Sequence, residues 1–127
     1  MSIDIRPQQA LQLLNAIALD IVRDRGPKEH PDFTFRQLSM LLTIYLEKPP
    51  HTVRALAARL GVTKPVVTRA LDALGAIDLV ARRRDEADRR NVIVQRTVKG
   101  ALFVEQLGDL VVERAGELPA WPHSTND

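Results

Sequence analysis

Apolar residues recur at helical spacing through five stretches of this chain and crowd into two short extended ones. From Gln8 to Arg25, positions Leu11, Leu14, Ala18, Ile21 and Val22 form one stripe, widened by Ala10, Leu13 and Ile17. Pro7 suits the first turn of this helix, where its missing N–H costs little. A helix so apolar around its girth requires burial on more than one side, against the rest of its own chain or against a second subunit. Gly26 to Asp32 is a loop by composition. Thr34-Phe35-Arg36-Gln37 then has the form of a capping box. It opens a helix with Leu38, Leu41, Leu42, Tyr45 and Leu46 at helical spacing, which Pro49-Pro50 stops.

Thr52 is placed to cap the next helix, whose inward face is Val53, Leu56, Ala57 and Leu60. Gly61 supplies a left-handed residue to end it. Thr63 is placed to cap the helix after that, with Pro65 tolerated in its first turn. There Val67, Ala70, Leu71 and Leu74 face inward, which leaves Lys64, Val66, Thr68 and Arg69 nearer the outside. Two helices joined by a short glycine turn make a helix-turn-helix. The polar outer face lies at the N-terminal end of the second helix, the end that such motifs present to base edges. Leu79–Arg83 and Asn91–Gln95 read as strands, the second holding the β-branched run Val92-Ile93-Val94. The charged stretch Arg84–Arg90 between them is too long for a two-residue turn and should protrude. Thr97 is placed to cap a last helix of about 20 residues, with Ala101, Leu102, Leu107, Leu110, Val111, Ala115 and Leu118 as its apolar side. From Pro119 to Asp127 the composition is that of a disordered tail.

Charge sharpens this picture. The net formal charge is only +2, but residues 51–100 hold 11 Lys and Arg against 5 Asp and Glu, while the remainder holds 7 against 11. A basic face on an acidic body is an electrostatic footprint for a polyanion. The length of 127 residues predicts a single domain spanning 1–127. The chain has no cysteine, which excludes disulfides, thiolate metal sites and thiol chemistry and fits a cytoplasmic location. No segment approaches the roughly 18 apolar residues of a membrane helix. His30, His51 and His123 are widely spaced with no matching carboxylate pattern, and no catalytic triad or phosphate-binding glycine loop is present. The sequence therefore predicts no enzyme, no cofactor and no metal.

The element order is that of a winged helix, and four stretches resemble the MarR-type regulators, the multiple-antibiotic-resistance regulator family, with a shortened C-terminus. They are Thr34-Phe35-Arg36-Gln37, the helix Val53–Val62, the start Thr63-Lys64-Pro65-Val66-Val67-Thr68-Arg69, and Asp85–Val94 followed by Thr97-Val98-Lys99-Gly100. The Asp-x-Arg pattern at Asp88 and Arg90, at this distance from a helix-turn-helix, is a fairly specific mark, and the likeness spans roughly residues 33–102. Asp78 stands where the family has glycine, and aspartate tolerates the left-handed conformation better than most residues. Arg96 stands where the family has leucine.

The resemblance implies a mainly α fold with a small β-hairpin: a winged helix-turn-helix (34–97) flanked by N- and C-terminal dimerisation helices (7–25 and 98–118). It implies a homodimer on double-stranded DNA, most commonly a repressor, with a recognition helix in the major groove and a wing near the minor groove. In the family a small-ligand pocket often accompanies these parts. The residues assigned to DNA are Thr63, Lys64, Pro65, Val66, Thr68, Arg69, Arg82, Arg84 and Arg90, with Arg54 and Arg59 as further backbone candidates. Arg69 is placed for a phosphate or a guanine edge, and an arginine at the wing tip for a narrow minor groove. Asp88, being anionic, is assigned to bracing the wing through Arg90 or Arg82. The rival reading from another class is a winged-helix protein-interaction module that has lost specific DNA binding.

Overall fold

A computed structural model describes residues 4–23 and 32–119. The elements are α1 (Pro7–Val22), α2 (Phe35–Leu46), β1 (His51–Thr52), α3 (Val53–Leu60), α4 (Lys64–Ala76), β2 (Val80–Arg84), β3 (Val92–Arg96) and α5 (Val98–Gly116). The expected mainly α winged helix is observed. The chain divides into two compact units, one of residues 29–105, the other of α1 and α5 from Gln106 onward. His30, the 26–31 part of the loop, His123, Trp121 and the tail beyond Pro119 lie outside the described residues.

Within the 29–105 unit the core sits between α2, α3, α4 and the sheet. Met40, Leu41 and Ile44 of α2, Leu56 and Ala57 of α3, and Val67, Ala70, Leu71 and Leu74 of α4 are buried, as are Leu79, Val80 and Val94. The local sequence sets the helix ends. The Thr34 hydroxyl accepts from Gln37 N at 3.1 Å and the Gln37 side chain accepts from Thr34 N at 3.0 Å, a complete capping box. Thr52 Oγ1 accepts from Ala55 N at 3.0 Å, and Gly61 ends α3 at φ 70°. Asp78 takes φ 61°, so aspartate does fill the left-handed position ahead of the wing.

The strands run one residue later than the periodicity predicts, and a third strand joins them. The sheet order is β1-β3-β2, antiparallel throughout, with His51 opposite Val94 and Arg82 opposite Val94 on the other edge. Two residues of β1 fall below the length at which alternation can be read, so only the partner strand reveals them.

Tyr45 and Gly100 join these parts. The Tyr45 hydroxyl donates to Leu79 O at 2.6 Å and accepts from Thr97 N at 2.9 Å. Thr97 Oγ1 donates to Asp78 O at 2.7 Å and caps α5 by accepting from Gly100 N at 2.9 Å. A Cβ on Gly100 would lie 1.8 Å from the Tyr45 hydroxyl oxygen and 2.2 Å from Leu79 O. Arg96 closes the other side. Its Nε donates to Ile44 O at 2.8 Å and its Nη2 to Glu47 O at 2.9 Å, satisfying carbonyls that the end of α2 leaves without helical partners. The guanidinium also sits 5.8 Å from the Tyr45 ring centre. Buried His51 places Nε2 3.2 Å from the same Glu47 carbonyl. The register of α5 follows from this knot. Gly100, Phe103, Leu107 and Leu110 are buried, while Leu102, expected on the apolar side, is exposed. Phe103 stacks edge-on with Phe33, centroids 5.6 Å apart.

In the second unit, α1 does not behave as a core helix of its own chain. Leu11, Leu14 and Val22 are 65%, 55% and 66% exposed, and the one buried residue of the helix is Asp20 at 6%. Its carboxylate takes Nε and Nη2 of Arg114 at 2.5 and 3.2 Å, while Arg114 Nη1 reaches Glu117 at 2.7 Å. The two carboxylates hold the guanidinium more firmly protonated than a free arginine.

Gly100→Ala is expected to destabilise the fold by about 3 kcal/mol, the upper end for extra volume forced into a packed site. Urea unfolding followed by circular dichroism checks this; a midpoint equal to that of the unmodified protein contradicts the Tyr45–Gly100 contact.

Candidate nucleic-acid interface

The helix pitch divides the outer surface of α4 into two rows. Lys64, Thr68 and Asp72 follow one another at i, i+4 spacing, as do Pro65 and Arg69. All five are exposed, and Val66 is half-buried. The first row runs beside the wing, because Arg82 Nη2 of β2 donates to Asp72 Oδ1 at 2.7 Å. The second row carries Arg69, which makes no hydrogen bond or ion pair among the described residues. Behind both rows, buried Val67, Ala70, Leu71 and Leu74 fix the helix against the core.

Thr63 occupies the N-cap position of α4 with extended backbone (ψ 161°), but its hydroxyl makes no capping hydrogen bond. An N-cap side chain usually accepts from the second or third helical N–H. Here the second helical residue is Pro65, which has none. The expectation that this hydroxyl caps the helix is thus corrected; Thr63 is exposed, and its side chain makes no hydrogen bond among the described residues.

The wing is a braced loop. Asp85 N donates to Asn91 O at 3.0 Å and Asn91 N to Asp88 O at 2.9 Å, closing the 85–91 segment on itself. The Asp85 carboxylate accepts from Ala87 N at 2.9 Å. Asp88 pairs with Arg90 and not with Arg82: Arg90 Nε and Nη2 reach the two carboxylate oxygens at 3.0 and 3.2 Å, and Arg90 N adds a third contact at 3.2 Å. These bonds hold the Asp88 carboxyl below its ordinary range, and the positive charge of Arg54 adds to the shift. Arg84 Nη1 donates to Arg89 O at 3.1 Å across the loop.

The basic residues assigned from sequence thus fall into two groups. Arg82, Arg84 and Arg90 hold parts of the wing, yet their side chains stay at the surface. Arg59 is engaged elsewhere, by a bidentate pair with Glu47 at 3.0 and 2.7 Å that ties α3 to the end of α2 and lowers the Glu47 pKa. Lys64, Arg54 and Arg69 have no hydrogen-bonding partner among the described residues. A groove of about 400 Å³, lined by Val53, Thr68, Arg82, Arg83, Arg84 and Val92, separates α4 from the wing. Asp72, Arg96 and His51 were not singled out as structural ties in the sequence. Their partners lie 10, 52 and 4 positions away, and only the i, i+4 spacing of His51 from Glu47 leaves a local trace.

Comparison with known proteins places this arrangement. Residues 33–92 match the model of the MarR family. No curated protein matches the chain. Among solved structures, MarR superposes with a TM-score of 0.64 at 28% identity, covering 93% of this chain and 78% of that one. A transcriptional regulator from Thermotoga maritima gives 0.60 at 29% identity, covering 86% and 68%. A MepR–DNA complex from S. aureus gives 0.60 at 25% identity, covering 84% and 75%. Among the described residues no helix is long and apolar enough to cross a membrane.

The two cap threonines should separate in stability measurements. Thr52→Ala is expected to cost about 1 kcal/mol, the usual value of a lost cap hydrogen bond, and Thr63→Ala clearly less. Equal losses in urea unfolding would mean that the Thr63 hydroxyl does cap α4 in solution.

Proposed function

We propose, from the match of residues 33–92 to the MarR family model, that the chain is a sequence-specific, double-stranded-DNA-binding transcription regulator, working in the cytoplasm as a dimeric repressor. One observation carries the reading. The first turns of α4 present Lys64, Thr68 and Arg69, which has no partner among the described residues, on a rigid, buried backing, beside a wing that brings five arginines, Arg82, Arg83, Arg84, Arg89 and Arg90. A helix start of this kind suits the major groove, and the braced arginine loop suits the adjacent minor groove. The solved complex of MepR with DNA, similar in fold, supports the same assignment.

In this reading residues 34–97 form the DNA-binding core. Arg69 contacts a base edge or phosphate, Lys64 and Thr68 contact the backbone or bases, and Pro65 and Val66 make apolar contacts. The free hydroxyl of Thr63 is available to a phosphate at the helix start, where backbone N–H groups also point. Arg82, Arg84 and Arg90 combine a tie within the protein with charge toward DNA, and Asp88 braces the loop. The 7–25 and 98–118 segments dimerise. The apolar residues that α1 leaves exposed, Leu11, Leu14 and Val22, support a second copy as their cover.

Arg69→Ala is expected to weaken binding to a selected site by about 1–3 kcal/mol, the worth of one good base contact. Competition gel shifts against random duplex measure it. Unchanged affinity and unchanged preference for the selected site would remove Arg69 from the interface.

A further inference from the structure

We propose that the cleft where the starts of α3 and α4 meet the end of the wing loop seats one phosphodiester of duplex DNA, with Arg54 as its principal charge. The proposal rests on the DNA-binding reading above and extends it to a residue outside the recognition helix and the wing.

The cleft encloses about 180 Å³. Arg54 and Thr52 line it from the start of α3, Lys64 and Thr68 from α4, and Arg90 and Asn91 from the wing. Three cations from three separate elements thus face one small space. Their charges are not equally available. Arg90 is held by Asp88 through both carboxylate oxygens, so that pair is nearly neutral. Arg54 acts on Asp88 through space, lowering its pKa, but makes no hydrogen bond among the described residues. Arg54 and Lys64 therefore supply the uncompensated positive charge.

The ligand chemistry follows from the lining. Two cations exceed the single negative charge of one phosphodiester. The hydroxyl hydrogen of Thr52, whose oxygen already accepts from Ala55 N, has no acceptor among the described residues, nor have the Thr68 hydroxyl and the Asn91 side-chain amide. Those donors match the two non-bridging oxygens of a phosphodiester. Lys64 and Thr68 line the cleft and also stand in the exposed row of α4, so a backbone lying along that row meets the cleft. Arg59, five residues along α3, is the contrast: Glu47 holds it in a bidentate pair.

The test is a salt titration of the full chain on a labelled duplex of random sequence, between about 50 and 200 mM, where each neutralised phosphate contributes about 0.9 to the slope of log affinity against log salt. Arg54→Gln is expected to lower the slope by about 0.9 for each bound chain, and to weaken random and selected duplexes by the same factor. Arg54→Lys should keep the slope and Arg59→Gln should leave it unchanged. If Arg54→Gln fails to fold by circular dichroism, Lys64→Gln on the facing wall carries the same expectation. An unchanged slope in the folded glutamine variant, while the unmodified protein binds duplex, overturns the seat and leaves the DNA-binding reading standing. So does a loss in Arg54→Lys as large as in Arg54→Gln. An unmodified protein that binds no duplex overturns the DNA-binding reading itself. Inorganic phosphate at fixed ionic strength is the last arm. Phosphate that binds the free protein through Arg54 yet leaves duplex affinity unchanged when it fills the cleft would assign the cleft to a free anion and overturn its assignment to the DNA backbone.

Discussion

The Tyr45 hydroxyl is the point on which the 29–105 unit turns. One oxygen joins α2, the turn that enters the wing at Leu79, and the residue that starts α5 at Thr97. It can do so only because position 100 has no side chain. Arg96 then fastens the end of β3 to the end of α2, and Glu47 fastens that same end to Arg59 of α3. Charged donors on backbone carbonyls are each worth about 1.5–3 kcal/mol. The end of α2 is thereby the fixed frame from which α3, the sheet and the first turn of α5 are measured. The angle between wing and α4, on which any groove reading depends, is set by this frame and trimmed by the Arg82–Asp72 pair.

Basic residues in such a protein serve two ends, and the structure separates them by partner. Arg96 and Arg59 are structural, each committed to carbonyls or a carboxylate of α2. Arg82, Arg84 and Arg90 are committed at one end and exposed at the other. Arg54, Lys64 and Arg69 have no hydrogen-bonding partner among the described residues. In the proposed function this gradient is useful: the braced arginines carry charge on a loop whose shape is already set, so little ordering entropy is lost when a groove closes on them.

Much of this was legible in the sequence, for a physical reason. Caps and inward faces depend on neighbours three or four positions away, so Thr34 with Gln37, Thr52, Gly61, and the Val67–Leu74 face of α4 all stand where their spacing put them. What was not legible depends on partners far along the chain. Arg96 departs from the leucine pattern, and its two carbonyl partners, on Ile44 and Glu47, lie 52 and 49 positions away. β1 exists only because β3 pairs with it. Phe103 is buried where Leu102 was expected, because the Tyr45–Gly100 contact, not average hydrophobicity, sets the rotation of α5. The Thr63 hydroxyl misled in the opposite way: its position was right, but Pro65 removes one of the donors it would have used. The apolar stripe of α1 suited either its own chain or a second subunit as cover, and Leu11, Leu14 and Val22 are exposed.

The central claim is that α4 and its wing read duplex DNA as a symmetric pair. Selection of bound duplexes from a random pool tests it most directly. The account predicts enrichment of two inverted half-sites with centres about 10 base pairs apart, the spacing that puts two recognition helices in successive major grooves on one side of the duplex. A pool that shows no enrichment, or enriches only a single half-site without its inverted partner, would contradict it.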